Sequence, residues 1–266
     1  MTKNNVPDDL NQDIKPDTLE KNMPEKKKSG DSYSSVIIAV LLAVLFRSLL
    51  FEPFNIPSGS MKPTLLVGDY IFTTKYAYGY SRYSFPFGIN IFSGRKFFKE
   101  PERGDVVVFM LPTNTKIHYV KRLIGLPGDK IQVKEGILYI NGQKIPKKRI
   151  EDFIDIDEKG NKQIIRQYLE TLPNNVSYKV LDETDKGGLD NTQVYTVPEH
   201  HYFFMGDNRD NSQDSRVMEV VGFVPEENLV GPARLIFFSA IDHVWEFWKF
   251  RNERYLKHVK YEETTK

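Results

Sequence analysis

The feature that most constrains this chain is an apolar run near its N-terminus. Between Tyr33 and Phe51 the only charged residue is Arg47. As a helix, residues 33–51 would measure about 28 Å, close to the roughly 30 Å hydrocarbon core of a bilayer. Arg47 lies near one end, where its long side chain reaches the headgroup region. The run predicts a single transmembrane anchor over residues 33–51.

The charges around this run predict its orientation. Lysines 26–28 precede the run and Glu52 follows it. By the positive-inside rule, residues 1–30 face the cytoplasm and the chain from residue 52 lies on the outer side. Residues 1–30 contain no aromatic residue and many charges, so we expect a disordered tail. The mean hydropathy of −0.45 argues against further spans.

Two other interpretations fit the run less well. A cleaved signal peptide would use the apolar stretch Val36–Phe46, but a charged preface of this length is unusual and the small residues 58–60 lie far beyond the stretch. A buried core helix would carry an apolar stripe on one face, whereas this run is apolar all round. A retained anchor is the favoured interpretation.

After the anchor the pattern is typical of β-strands. Short β-branched runs at 105–109, 118–124 and 194–197 are bounded by turn residues. Residues 137–145 predict a hairpin whose turn is Asn141-Gly142. We therefore expect a mainly β protein with an antiparallel catalytic sheet. The expected domains are the catalytic β domain (52–146 and 194–240), an inserted β-rich subdomain (147–193) and an aromatic, basic C-terminal segment (241–266).

Composition excludes several kinds of chemistry. The chain has no cysteine, which removes disulfides, thiolate metal sites and cysteine nucleophiles. Its 37 Lys and Arg residues balance 36 Asp and Glu residues, so no basic field favours nucleic acid. The five histidines lack metal-ligand spacing, and we expect no metal and no cofactor. His118 and His200 leave a Ser-His-Asp hydrolase open.

Lys121 is the most informative single residue. On a strand, side chains alternate, so Lys121 shares a face with Tyr119 and Leu123, and Arg122 lies on the other face. One cation with apolar neighbours is thus expected to face inward. Burial lowers a lysine pKa by up to about 3–5 units, which would make a neutral general base available without histidine.

Four segments together resemble a known family. They are residues 54–69, 103–109, 119–129 and 206–216. The runs Ser-Met-Lys-Pro-Thr-Leu (60–65), Lys-Arg-Leu-Ile-Gly-Leu-Pro-Gly-Asp (121–129) and Gly-Asp-Asn-Arg-Asp-Asn-Ser-Gln-Asp-Ser-Arg (206–216) resemble the conserved boxes of bacterial type I signal peptidases. The resemblance covers roughly residues 36–240.

The resemblance implies a role for each site residue. Ser60 would be the nucleophile and Lys121 the general base, with Ser58 completing the oxyanion hole. Ser212 would orient the lysine amine. The paired charges that support the site would be Asp214 and Arg216. The shallow pockets for the substrate residues one and three before the cut would be formed by Phe54, Ile56, Pro57, Met61, Leu65, Val108, Tyr119 and Val120.

The resemblance also implies the substrates, the other partner and the location of the protein. The substrates would be exported preproteins cut after small residues of the Ala-X-Ala type, and the other partner would be the lipid bilayer. The enzyme would lie in the bacterial cytoplasmic membrane, N-terminus inside and catalytic domain on the periplasmic side. Many relatives have two spans and a cysteine pair, both absent from this sequence, and often an acid where His118 stands. An anchored β-domain that binds a partner without catalysis is the rival from another class.

Overall fold

A computed structural model describes residues 30–85, 92–156, 161–184, 186–240 and 250–259. Of the predicted tail (1–30), residues 1–29 lie outside the described residues and Gly30 begins a helix; 241–249 and 260–266 of the C-terminal segment also lie outside. By its internal contacts the chain divides into Met1–Leu42 and Ala43–Lys266. Every described strand belongs to the second unit.

The one α-helix of the described part, α1, runs from Gly30 to Leu49. It ends two residues before the predicted limit because Phe51 opens the first strand and pairs with Thr74. Its apolar side chains are exposed, as at Ile37 (60 %) and Leu41 (62 %). Within the described ranges, no helix is both long enough and apolar enough to cross a membrane.

The largest sheet has eight strands and is antiparallel throughout. Seven of its strands form a continuous path, and the eighth pairs with one strand of that path. In spatial order the path is β1 (Phe51–Asn55), β2 (Asp69–Thr74), β16 (Leu229–Ser239), β3 (Val106–Leu111), β4 (Asn114–Gly125), β14 (His201–Met205) and β15 (Val224–Pro225), and β17 is Lys257–His258.

Three smaller antiparallel sheets complete the β structure. Their strands, in spatial order, are β13 (Tyr195–Thr196), β5 (Lys130–Lys134), β6 (Ile137–Ile140) and β7 (Gln143–Lys144); β12 (Ser177–Leu181), β11 (Gln167–Thr171) and β8 (Lys147–Arg149); and β10 (Lys162–Ile165) and β9 (Phe153–Ile156). Short 3-10 helices lie at Gly59–Met61, Lys75–Ala77, Arg82–Ser84, Glu226–Asn228 and Asn252–Arg254.

The prediction of a mainly antiparallel β protein is confirmed. The predicted hairpin turn is present: Asn141 and Gly142 both have positive φ, 54° and 77°, and β6 pairs with β7 across them. The stretch 147–193 is rich in strands as expected, and its boundaries as a subdomain stay a prediction. Apolar side chains from β3, β4, β14 and β16 form the core of the large sheet, so the middle of β4 lies on a rigid support.

Candidate active site

Ser60 lies in the 3-10 helix that follows β1, on a segment fixed by backbone contacts. Asn208 holds this segment twice: its N–H donates to the Ser60 carbonyl at 3.1 Å, and its Nδ2 donates to the Gly59 carbonyl at 3.1 Å. Both carbonyls are therefore tied to the loop at 206–216. Sequence reasoning gave Asn208 no role, since nothing in one chain reveals a contact across about 150 residues.

Lys121 reaches Ser60 from the middle of β4. Its Nζ donates to Ser60 Oγ at 2.7 Å and to the carbonyl of Val120 at 3.0 Å. The Lys121 side chain is only 4 % exposed. Burial lowers its pKa from 10.5 to about 8, although the charges of Asp214 and Asp207 oppose the shift. At pH 7 roughly a tenth of such an amine is neutral, compared with well under a thousandth at the usual pKa.

One cation of β4 was expected to face inward, but the structure buries two, Lys121 and Arg122. Both faces of β4 are covered at this point. Arg122 is neutralised by Asp207, to which its Nε and Nη2 donate at 2.8 and 2.6 Å. Its Nη1 donates to the carbonyl of Gly104 at 2.8 Å. A buried charge needs such a partner, and Lys121, to which no carboxylate of the described residues is bonded, loses its charge more readily.

Two further serines flank the pair. The hydroxyls of Ser58 and Ser60 lie 3.4 Å apart, within hydrogen-bonding distance. Ser212 Oγ is buried and faces the Asp214 carboxylate, whose pKa a hydrogen bond from the Ser212 side chain helps to lower. Gly206 separates Ser212 from the segment of Ser60: a Cβ at Gly206 would collide with Ser212 Oγ and would lie 2.6 Å from the Ser60 carbonyl oxygen. Only glycine lets the two segments approach this closely.

Asp214 and Arg216 form a buried ion pair behind these residues. Arg216 Nε and Nη2 each donate to Asp214 at 2.9 Å, and the Gly206 N–H donates to the same carboxylate at 2.9 Å. Burial alone would raise the pKa of Asp214, but the guanidinium and the amide hold it below its ordinary value. Arg216 Nη2 also donates to the carbonyl of Arg209 at 2.7 Å. The pair thus fixes the position of Gly206.

A cavity of about 430 Å³, called the groove below, opens beside Ser60 and Lys121. Six of the eight predicted pocket residues line it: Phe54, Ile56, Pro57, Met61, Tyr119 and Val120. The other two, Leu65 and Val108, are fully buried in the core and do not line it. The groove also has lining residues that the sequence did not indicate, namely Asn55, Ile117, Asn211 and Gln213.

Two free strand edges face the groove. β1 is the first strand of the large sheet and pairs only with β2 within the described residues. β4 pairs with β14 only through residues 122–125, so its outer edge before Arg122 carries no described strand. An unpaired edge offers backbone donors and acceptors to an added strand.

Of the two histidines of the alternative mechanism, His118 lines the groove and His200 does not. His118 packs against Phe54 with ring centres 4.9 Å apart, and burial lowers its pKa. His200 is exposed and its Nδ1 lies 3.2 Å from Glu226. The described hydrogen bonds of the Ser60 hydroxyl go to Lys121 and Ser58.

Three aspartates form a cluster of the kind that can hold a metal ion. Asp182, Asp190 and Asp210 bring carboxylate oxygens within 4.8 Å of one another in the described part of the chain. Lys147 forms an ion pair with Asp182 and supplies a cation there. This group is separate from the residues around Ser60.

Comparison with known proteins adds independent observations. Residues 30–238 match the family described as signal peptidase, peptidase S26. A signal peptidase I of Rickettsia canadensis (strain McKiel) is 47 % identical over 230 residues, covering 83 % of this chain and 84 % of its own. A signal peptidase I of Rickettsia typhi (strain ATCC VR-144 / Wilmington) is 46 % identical over 233 residues, covering 85 % of this chain and 86 % of its own. A solved signal peptidase I from Enterococcus faecalis V583 is 31 % identical, covers 50 % of this chain and 97 % of its own, with a TM-score of 0.30.

Proposed function

Since this chain belongs to the signal peptidase family, peptidase S26, and is therefore a serine peptidase, we propose that Ser60 and Lys121 carry out its chemistry. The carrying observation is the 2.7 Å hydrogen bond between Lys121 Nζ and Ser60 Oγ at a lysine that is 4 % exposed. A buried amine in contact with a hydroxyl has the geometry and the pKa that a general base needs.

Acylation would proceed by proton transfer within this pair. The neutral Lys121 amine takes the Ser60 proton while Ser60 Oγ attacks the scissile carbonyl. The tetrahedral oxyanion accepts hydrogen bonds from the Ser58 hydroxyl and the Ser60 N–H, which lies in the first turn of a 3-10 helix where N–H groups lack a helical partner. Loss of one such donor costs about 10²–10³ in rate. The Lys121 ammonium then protonates the departing amine, and the mature protein leaves.

Deacylation would use the same lysine. Lys121, neutral again, removes a proton from water, whose oxygen attacks the acyl ester, and Ser60 recovers the proton. Ser212 is proposed to orient the amine through its hydroxyl, with Asp214 and Arg216 holding Gly206 between Ser212 and Ser60. The support is the buried Ser212 side chain, which packs closely against Gly206, and the ion pair bonded to the Gly206 amide.

The substrate would lie extended in the groove between the free edges of β1 and β4. β14 pairs with β4 from residue 122 onward and blocks that part of its edge. The substrate residues before the scissile bond would therefore lie along β4 from Lys121 toward His118. The apolar lining from Phe54, Ile56 and Tyr119 offers shallow pockets to small side chains. Such walls admit alanine and exclude bulk, which supports the Ala-X-Ala preference. Ala-X-Ala preproteins and their signal peptides are the proposed substrates.

Signal peptidase I enzymes are typically associated with bacterial membranes, and we propose that the apolar run 33–51, most of which α1 forms, anchors this one. Its exposed apolar side chains and the sequence charges on either side support a single span with the N-terminus in the cytoplasm and the catalytic domain on the periplasmic side. The connection from Phe51 to Ser60 would keep the nucleophile within about 30 Å of the bilayer even if fully extended. The substrate's own signal peptide lies in the same bilayer.

The proposal is tested with detergent-solubilised full-length protein and a preprotein carrying an Ala-X-Ala site, with products mapped by mass spectrometry. We expect one specific cut that disappears in Ser60→Ala and in Lys121→Ala. His118→Ala and His200→Ala serve as matched controls and should still cut at the same bond. Cleavage by Lys121→Ala would refute the proposed base, and no cleavage by the parent would favour a binding protein without catalysis.

A further inference from the structure

A second cavity of about 740 Å³, called the basic pocket below, lies next to the groove. The two cavities share His118 as a common wall. Four cationic side chains line the basic pocket, from Arg47, Lys75, Arg82 and Lys116, together with the single carboxylate of Glu52. Nothing in the proposed cleavage chemistry uses these residues.

The charges that line the basic pocket do not cancel. Glu52 is shared by two of the cations, with Arg47 Nη2 at 2.7 Å and Lys75 Nζ at 2.7 Å. Glu227, which does not line the pocket, stands 3.6 Å from Arg82. Four cations against one lining carboxylate leave an excess of positive charge even if Glu227 is counted. A cavity with this balance attracts an anion.

Arg82 and Lys116 supply donors at the basic pocket. Arg82 Nε is buried and has no hydrogen-bond partner within the described residues, while its Nη2 donates to Tyr83 Oη at 2.6 Å. Lys116 is exposed on β4. A planar guanidinium and a mobile ammonium on the rim of one cavity are the usual means of binding a phosphate group.

The position of Arg47 favours one source of phosphate. Arg47 and Ser48 line the pocket and lie in the last turn of α1, directly after its apolar residues. If the run 33–51 is the anchor, as the proposed function holds, Arg47 lies at the depth of the lipid headgroups. We propose that the basic pocket binds the phosphate of an anionic phospholipid headgroup beside the groove. This inference depends on the proposed membrane anchoring and adds a lipid-binding site to it.

The test titrates delipidated full-length protein in neutral detergent with phosphatidylglycerol and counts retained lipids by native mass spectrometry. We expect one retained lipid, bound at least tenfold more weakly by the double variant Arg82→Ala/Lys116→Ala. Phosphatidylcholine should bind at least tenfold more weakly than phosphatidylglycerol. The matched control is Lys130→Ala/Lys144→Ala, which removes two exposed cations from another sheet and should bind like the parent. Lys116→Ala alone, an exposed change, gives the same direction with no risk to the fold.

Several results would overturn the inference. Equal retention by parent and double variant would remove the basic pocket as the site, and equal retention of the two lipids would remove its charge selectivity. If equimolar sodium phosphate displaced the retained lipid, the ligand of the basic pocket would be free phosphate. If the double variant retained lipid like the parent but lowered kcat/KM for a preprotein with an acidic residue before the Ala-X-Ala site, the occupant would be substrate.

The same samples separate this inference from the proposed function. Cleavage of the Ala-X-Ala preprotein by the parent is measured without added lipid. Intact cleavage with no selective lipid retention counts against the basic pocket alone. Selective retention without cleavage counts against the proposed cleavage alone.

Discussion

Replacing the buried lysine by an apolar side chain of similar length should separate stability from activity. We predict that Lys121→Met has no cleavage activity and yet is more stable than the parent at neutral pH. The reason is that the folded protein holds Lys121 at a pKa of about 8, against 10.5 for the exposed side chain. Each pKa unit corresponds to about 1.4 kcal/mol, so the difference of about 2.5 units costs the folded parent about 3 kcal/mol.

The dependence of this cost on pH gives the prediction its sign. Below about pH 8 the cost is fully present. Between pH 8 and 10.5 the unfolded chain binds more protons than the folded one, so the parent gains stability as pH rises. Above pH 10.5 the cost has vanished. Methionine has no such cost at any pH, so its advantage over lysine shrinks through the same window.

The lost hydrogen bonds act in the opposite direction. Lys121 donates to Ser60 and to the Val120 carbonyl, and removing both costs about 1–2 kcal/mol at any pH. Lys121→Met should therefore be about 1–2 kcal/mol more stable than the parent at pH 7 and less stable by a similar amount at pH 10.5. At about 2–4 °C per kcal/mol, the Tm difference between variant and parent swings by roughly 6–12 °C.

The assay is thermal unfolding in detergent at half-unit pH steps from 7 to 10.5, with Lys144→Met as the control for an exposed lysine. Other titrating groups are common to parent and variant and cancel in the difference. A Tm difference that stays constant across this range would refute the claim that burial depresses the Lys121 pKa. The general-base role would then lose its electrostatic support.

Three further predictions concern the same site. Initial rates of preprotein cleavage should show kcat/KM rising about tenfold per pH unit below the Lys121 pKa of about 8 and levelling above it, and a flat profile from pH 6 to 10 would contradict the lysine base. Arg122→Met should cost about 3–5 kcal/mol in denaturant unfolding because Asp207 stays buried without its partner; a double change with Asp207→Asn that is no more stable than the single one would contradict this. Gly206→Ala should lower kcat about 100-fold with little change in KM, because the new methyl would lie 2.6 Å from the Ser60 carbonyl oxygen. An unchanged kcat would show that the loop at 206–216 can move to accommodate the methyl, which would contradict the prediction.

Local patterns in the sequence predicted the elements that depend on neighbouring residues. Strand alternation indicated that Lys121 would be buried, and two residues with favourable positive φ indicated the turn at 141–142. The helix limit was too late because β1 pairing, not helix propensity, decides where Phe51 goes. The structure brings the nucleophile and the lysine into contact, and their roles in catalysis stay a prediction.

Contacts between distant segments could not be predicted. The ion pair of Arg122 with Asp207 joins residues 85 positions apart, and alternation alone placed Arg122 on the opposite face from the lysine without a partner. Leu65 and Val108 were expected in the pockets but lie in the core, since a single sequence does not distinguish a wall from the layer behind it. The basic pocket combines α1, β1 and β4, and no local pattern indicates such a combination.

The free edges of β1 and β4 carry a consequence for inhibitor design. Backbone amides are identical in every peptide, so under the proposed function pairing along these edges would contribute affinity that does not depend on sequence, and selectivity would come from the small apolar pockets. A peptide whose amide nitrogens are methylated at the edge-pairing positions would keep its side chains and lose its binding, whereas shuffling the side chains that point out of the groove would leave binding nearly intact.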